Sequence, residues 1–194
     1  MGRDKALLEL NGAPLIQRTA DLLAPLVTKT TLVISADQLA NPTNTNPYSN
    51  FELPTLADRW PNAGPLGGIA TALAAAQTSW CLILACDMPF ITKEWLTFLL
   101  GQIQRSESPE PTDVIVPETI RGLEPLCAIY RTACAQPLAR ELDSGIRKVT
   151  DALANLNMKH ITENEWRQFS RDGNLFGNLN TLQDYLEAQK RLKS

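Results

Sequence analysis

Apolar positions recur along this chain in two alternating rhythms. From Pro14 to Leu26 the residues Leu15, Ile16, Ala20, Leu23 and Leu26 fall at helical spacing. Thr31 to Ser35 (TLVIS) is a short β-branched run and predicts a strand. Gly64 to Gln77 opens on glycines and turns alanine-rich, which predicts a loop entering a helix. Trp80 to Ala85 (WCLILA) is continuously apolar, the pattern of a strand buried on both faces in a parallel sheet. The next helix starts near Thr92, an N-cap residue, with Glu94 placed to meet the helix dipole. Asp113 to Pro117 (DVIVP) and Pro125 to Tyr130 (PLCAIY) read as strands. Thr132 to Leu142 and Ile146 to Leu156 read as helices about a turn at Ser144-Gly145, with a last short strand at Met158 to Ile161. Thr181 to Leu192 is a helix with Thr181 and Asp184 spaced as a capping box. Asn41 to Asn50 and Gln104 to Thr112 are polar, proline-bearing loops.

Strands alternating with helices predict a three-layer α/β/α sandwich with a mostly parallel sheet, built as a single domain over residues 1–194. In such sheets ligands bind beyond the carboxyl ends of the strands. Chemistry is therefore expected in the loops after TLVIS, after WCLILA and around the glycine cluster.

Composition narrows the choices. The net charge of −3 offers no basic field, so nucleic acid is not an expected partner. No apolar run approaches the ~20 residues of a membrane span, and the first residues lack a signal-type apolar core, so the expected location is the cytoplasm. Cys81, Cys86, Cys127 and Cys134 form no Cys-x-x-Cys pair, which argues against a zinc or redox motif. His160 is the single histidine, and no serine or cysteine near it has a nucleophile signature.

Five features carry candidate chemistry. Asp87, in Ala85-Cys86-Asp87-Met88-Pro89-Phe90, is the first polar residue after a buried strand. A carboxylate at that edge suits Mg²⁺, which takes one or two carboxylates plus substrate phosphates, and equally suits the cap of a turn. Gly64-Pro65-Leu66-Gly67-Gly68-Ile69 allows close backbone approach to a ligand ahead of a helix N-terminus, or tight helix–sheet packing. Asp58 lies just upstream as a second polar contact or a plain loop residue. In Arg3-Asp4-Lys5 the lysine precedes a helix and is placed to meet phosphate, or to be solvated. Asn178 and Asn180, one residue apart in Phe176-Gly177-Asn178-Leu179-Asn180-Thr181, project to one side of an extended segment. Arg147 and Lys148 put two cations at a helix start, where the dipole disfavours them unless an anion lies between.

Together these segments resemble, in order, the motifs of the molybdenum cofactor guanylyltransferase (MobA) family. MGRDKALLELNGAPLI resembles its R-M-G-x-D-K-x-L-L-x-L-x-G-x-P-L-I opening, GPLGGI its G-P-L-A-G-I, and ACDMPF its C-D-M-P-F. EPLCAIY resembles P-L-x-A-L-Y and NLNTLQDY the N-x-N-T-P-E-D-L ending. The resemblance spans nearly the whole chain and implies a Rossmann-like fold of the nucleotide-diphospho-sugar transferase type. It implies transfer of GMP from GTP to molybdopterin with release of pyrophosphate and with Mg²⁺ as cofactor. Lys5 and Asp87 would be catalytic, Asp87 holding the metal. Asp58, Gly64, Pro65, Leu66 and Gly67 would bind GTP with them, and Asn178 and Asn180 would lie near the reacting phosphates and pterin; Arg147, from its place at a helix start and not from a family motif, is a further candidate for substrate phosphate. Molybdenum-insertion proteins and molybdoenzymes are the protein partners it implies.

The chain departs from the pattern in three places. The family carries a strand and an L-A-G-G-x-S-x-R-M-G loop ahead of the lysine, so the working protein is expected to extend upstream, with unpaired strand edges where that strand is lacking. Gly67 stands where alanine is usual and Leu182 where proline is usual. Three other readings stay open: a cytidylyltransferase or other nucleotidyltransferase, a non-catalytic binding relative, and a structural adaptor domain.

Overall fold

The computed structural model describes residues 4–39, 47–106, 111–170 and 172–192. A two-residue hairpin, β1 (Glu9–Leu10) with β2 (Ala13–Pro14), leads into α1 (Leu15–Leu23). There follow β3 (Leu32–Ile34), α2 (Ala36–Leu39), β4 (Thr55–Ala57), α3 (Pro65–Ala75), β5 (Trp80–Leu84) and α4 (Lys93–Gly101). The second half holds β6 (Val114–Thr119), β7 (Gly122–Leu123), β8 (Cys127–Arg131), α5 (Ala135–Asp143), α6 (Val149–Ala152), β9 (Met158–Ile161), α7 (Glu163–Trp166) and α8 (Leu182–Arg191).

The period-2 alternation of β6 and β8 builds the layers. Val114, Val116, Ala128 and Tyr130 face Leu66, Ile69 and Leu73 of α3 and Leu138 and Leu142 of α5. Ile115, Cys127 and Ile129 face the opposite way, toward Trp95, Leu96 and Leu99 of α4 and Trp166 of α7. Burying side chains of this size contributes about 1.5–3 kcal/mol each, so the two clusters fix helices on both faces of the sheet. The expected α/β/α sandwich follows.

The main sheet runs β5-β8-β6, with β7 and β9 both paired to β6. β6 and β9 are parallel, and β5 shares their direction because two antiparallel ladders, β5 with β8 and β8 with β6, separate them. The parallel character expected from the sequence is thus interrupted by β8. β3 and β4 form their own parallel pair. Among the described residues β5 pairs only with β8, while α3 packs against β3, β4 and β5 alike.

WCLILA departs from its expected burial. All five residues of β5 are only half-buried, because the strand lies at an edge of its sheet. The helix expected over Ile146–Leu156 shrinks to one turn, because Lys148 takes extended dihedrals and the turn closes at Leu153. DVIVP runs on to Thr119. Thr92 and Thr181 cap α4 and α8 as expected, and Asp184 completes a capping box with Thr181. Of the two expected loops, residues 41–46 and 107–110 lie outside the described residues. Among the described residues no helix is long and apolar enough to cross a membrane.

Candidate functional site

Three segments far apart in sequence meet at the carboxyl end of β5. The strand stops at Leu84, and the turn after it presents Asp87. Asp4 caps a single 3-10 turn, Lys5–Leu7, with its carboxylate accepting the Ala6 amide at 3.0 Å. Met1 to Arg3 lie outside the described residues. The third segment, Asn178-Leu179-Asn180, is tied to the first by the Leu179 amide, which donates to the Asp87 carbonyl at 2.9 Å.

Alternation explains how the asparagines are aimed. Leu179 is 1% exposed and packs with Leu10, Leu15 and Ala188. Its neighbours Asn178 and Asn180 therefore face outward together, as their spacing predicts. The Asp184 carboxylate accepts the amides of Asn180 and Thr181 at 2.9 and 2.7 Å, so the start of α8 holds the segment. Lys5 Nζ donates to Asn180 Oδ1 at 2.8 Å and lies 3.9 Å from Asp87 Oδ2.

Burial pushes the Asp87 carboxyl above its ordinary range, against the opposing pull of the Lys5 ammonium and its own backbone amide. At 3.9 Å the lysine makes no hydrogen bond to it, so the carboxylate's charge is only partly offset. Among the described residues no group of three or more His, Cys, Asp or Glu side chains could hold a metal ion. A cation at Asp87 would therefore need further oxygen donors from a bound phosphate or from water, the usual pattern for Mg²⁺.

The glycine segment lies at the start of α3. Gly64 has φ +62° and ψ −152°, a backbone region essentially reserved for glycine, and no side chain caps the first turn. Pro65 has no N–H and the Gly67 amide donates to the Gly64 carbonyl at 3.2 Å, so the Leu66 amide is the helix-start donor this turn can offer an anion or a polar base edge. Pro65 is exposed at the first helical position, but Leu66 is fully buried in the core. With its side chain in the core, Leu66 has its backbone to offer a ligand.

Asp58 is tied to this helix. Its Oδ1 accepts the Trp60 amide at 2.9 Å and the Thr71 hydroxyl at 3.0 Å, and a β-carbon on Gly67 would lie 2.8 Å from its Oδ2. It fastens the loop to α3. Arg147 is drawn elsewhere, its guanidinium donating to the carbonyl of Leu142 in the last turn of α5 and to that of its neighbour Ile146 beyond the helix. Lys148 pairs with Asp151 at 3.3 Å. The local carbonyls and carboxylate meet these cations, and none of these bonds joins them to the Lys5–Asp87–Asn180 group.

Two further residues reach the site from a segment with no periodicity. Tyr48 and Gln38 both donate to Asp4 Oδ2, and Gln38 also donates to the Tyr48 hydroxyl at 3.0 Å. The signal for Asp4 is an N-cap residue type just before the lysine. Tyr48 had none beyond being an aromatic in a polar loop.

Residues 1–157 match the family model described as MobA-like NTP transferase domain. A protein of Peptoclostridium acidaminophilum named probable molybdenum cofactor guanylyltransferase is 31% identical over 187 residues, which cover 95% of this chain and 80% of that protein. The molybdenum cofactor guanylyltransferase of Desulfosudis oleivorans is 30% identical over 194 residues, 100% of this chain and 89% of its own length. The crystal structure of molybdopterin-guanine dinucleotide biosynthesis protein A from Archaeoglobus fulgidus superposes with a TM-score of 0.81 at 27% identity, covering 99% of this chain and 92% of that one.

Proposed function

The chain belongs to the MobA-like NTP transferase family, and on that premise we propose that it is a molybdenum cofactor guanylyltransferase, moving GMP from GTP onto molybdopterin with release of pyrophosphate. The observation that carries this reading is the convergence of Lys5, Asp87 and Asn180 at the carboxyl end of β5. A cation, a carboxylate and an amide are set together there, and the neighbouring Cys86 thiol is kept in its protonated, weakly nucleophilic form by burial. Phosphoryl transfer between two phosphates needs no protein nucleophile, because the attacking phosphate is itself the nucleophile.

The terminal phosphate of molybdopterin attacks the α-phosphorus of GTP in line, and pyrophosphate leaves. Lys5 meets the charge that develops on the α-phosphate and the leaving group. Asn180 holds the ammonium of Lys5 in one place, so little reorganisation accompanies the step. Asn178, exposed beside it, is available to the pterin phosphate. The uncapped start of α3 and the loop fastened by Asp58 receive the guanine end. Asp87 is the residue that would hold Mg²⁺, completed by phosphate oxygens, and the ion would neutralise triphosphate charge when bound.

The test is pyrophosphate release from GTP or CTP in the presence of molybdopterin and Mg²⁺, with the dinucleotide product identified by mass. GTP-dependent release with a guanine dinucleotide product supports the reading. Preference for CTP moves the chain to the cytidylyl reaction, and release with neither nucleotide removes the proposal.

A further inference from the structure

The lysine of the site stands one residue from an anchor that takes no direct part in the transfer. Asp4 is bound on both carboxylate oxygens: Oδ1 accepts the Ala6 amide at 3.0 Å, and Oδ2 accepts the Gln38 side-chain amide at 3.0 Å and the Tyr48 hydroxyl. Gln38 and Tyr48 are also bonded to each other at 3.0 Å, which closes a triangle. Gln38 is itself held, its side-chain oxygen accepting the Ser35 amide at 3.1 Å just after β3. Tyr48 is 2% exposed and packs with Ala6, Ile16 and Ile34. An unbroken chain of contacts thus runs from the end of β3 through Gln38, Tyr48 and Asp4 to the turn that presents Lys5.

From this geometry we infer that Asp4 and Tyr48 are positioning residues that act through Lys5, fixing the turn so that its ammonium reaches the reacting phosphates. The inference rests on the guanylyltransferase reading of the Lys5 site and deepens it. A carboxylate satisfied by a backbone amide, a side-chain amide and a phenol is a fixed support, whereas the lysine stem alone has several rotatable bonds. Asn180 holds the ammonium from the far side at 2.8 Å. Constraint at both ends of one flexible side chain limits it to few rotamers, and misplacement of a catalytic group by about 1 Å costs about a hundredfold in rate.

The experiment is a double-mutant cycle. Wild type, Asp4→Asn, Lys5→Ala and the double variant are each measured for kcat/KM and for GTP binding by calorimetry, and Tyr48→Phe is taken through the same cycle. Tyr48→Phe keeps the ring in the core and removes only the hydroxyl, so it remains informative if Asp4→Asn folds poorly. Each single change beside an intact Lys5 is expected to lower kcat/KM about tenfold or more. In the Lys5→Ala background neither should cause further loss, because residues acting through one group are non-additive. A general structural role would give equal losses in both backgrounds, and equal losses overturn the inference, as does an unchanged kcat/KM in both Asp4→Asn and Tyr48→Phe. If wild type neither binds nor turns over GTP, the functional reading falls and this inference with it. Additive losses in an active enzyme overturn this inference alone.

Discussion

The Leu179 amide donates to the Asp87 carbonyl at 2.9 Å, so two parts of the site separated by more than ninety residues are joined through backbone atoms alone. Side-chain changes at Asp87 leave that tether intact. The buried Leu179 side chain keeps Asn178 and Asn180 facing outward whatever residue 87 carries. Structure and chemistry at this position are thereby separable.

Asp87→Asn uses that separation. The amide is nearly isosteric, keeps the backbone bond and removes only the negative charge. Turnover of GTP is expected to fall at least about a hundredfold, the scale seen when one preorganised electrostatic contact is lost. The melting temperature should stay within about 2–4 °C of wild type, equivalent to roughly 1 kcal/mol for a chain of this size. Undiminished turnover in a folded Asp87→Asn protein takes Asp87 out of the mechanism.

Much of this was legible in the chain itself. WCLILA followed by Asp87 announces a strand that delivers a carboxylate to its carboxyl edge, and Asn-Leu-Asn encodes its outward pair through the apolar residue between. The capping box of α8 was equally plain. The Asn11-Gly12 hairpin and the Thr162–Glu165 capping box of α7 carried local signatures that periodicity alone passes over. The Asp4–Tyr48–Gln38 triangle had no such signature, because its partners lie 34 and 44 residues from Asp4 and no local pattern links them. The half-burial of β5 was also hidden: an apolar run reports a preference for burial, while its ladder partners are set by topology.

Gly67→Ala pits two effects against each other. Alanine in place of helical glycine gains about 1 kcal/mol of propensity. Against this, the added β-carbon would meet both Asp58 carboxylate oxygens, at 2.8 and 3.0 Å, and the Ala63 β-carbon at 3.0 Å. Asp58 has little room to yield, since its Oδ1 already accepts from Trp60 and Thr71. Overpacking of this kind costs about 1–3 kcal/mol, so the net change is expected to be a loss on the order of 1 kcal/mol, read by chemical denaturation. Asp58→Ala should relieve it, making the double variant more stable than the two single losses added together. Simple additivity would mean that the contact carries no strain.

The cysteines give a pH prediction. Burial pushes the Cys127 thiol up to about 12, Cys86 and Cys134 up to about 11, and Cys81 upward as well. A thiol pKa raised in the folded state favours the protonated form. The associated stability is fully present below the ordinary value of 9.0 and is lost as pH rises through 11 to 12. Native protein at pH 8 should react slowly with a thiol reagent such as DTNB, and denatured protein should report all four thiols at once. The melting temperature should fall between pH 9 and 11. Rapid labelling of the native protein would show that these thiols are open to solvent.

The exposed side of β5 leads to the last prediction. This strand has the most continuous apolar run in the chain, yet all its residues are half-buried and its ladder runs only to β8 among the described residues. In an antiparallel pair, residues alternate between those bonded to the partner and those whose amides point away. Every second amide of β5 is therefore expected to exchange with solvent deuterium much faster than the amides of β6 and β8, whose core residues are buried on both faces. Residue-resolved exchange should show this alternation in β5 and uniform protection of Val114 to Val116. Uniform strong protection along β5 would mean that its second edge is paired in solution, and a strand seated against it would then have to be sought.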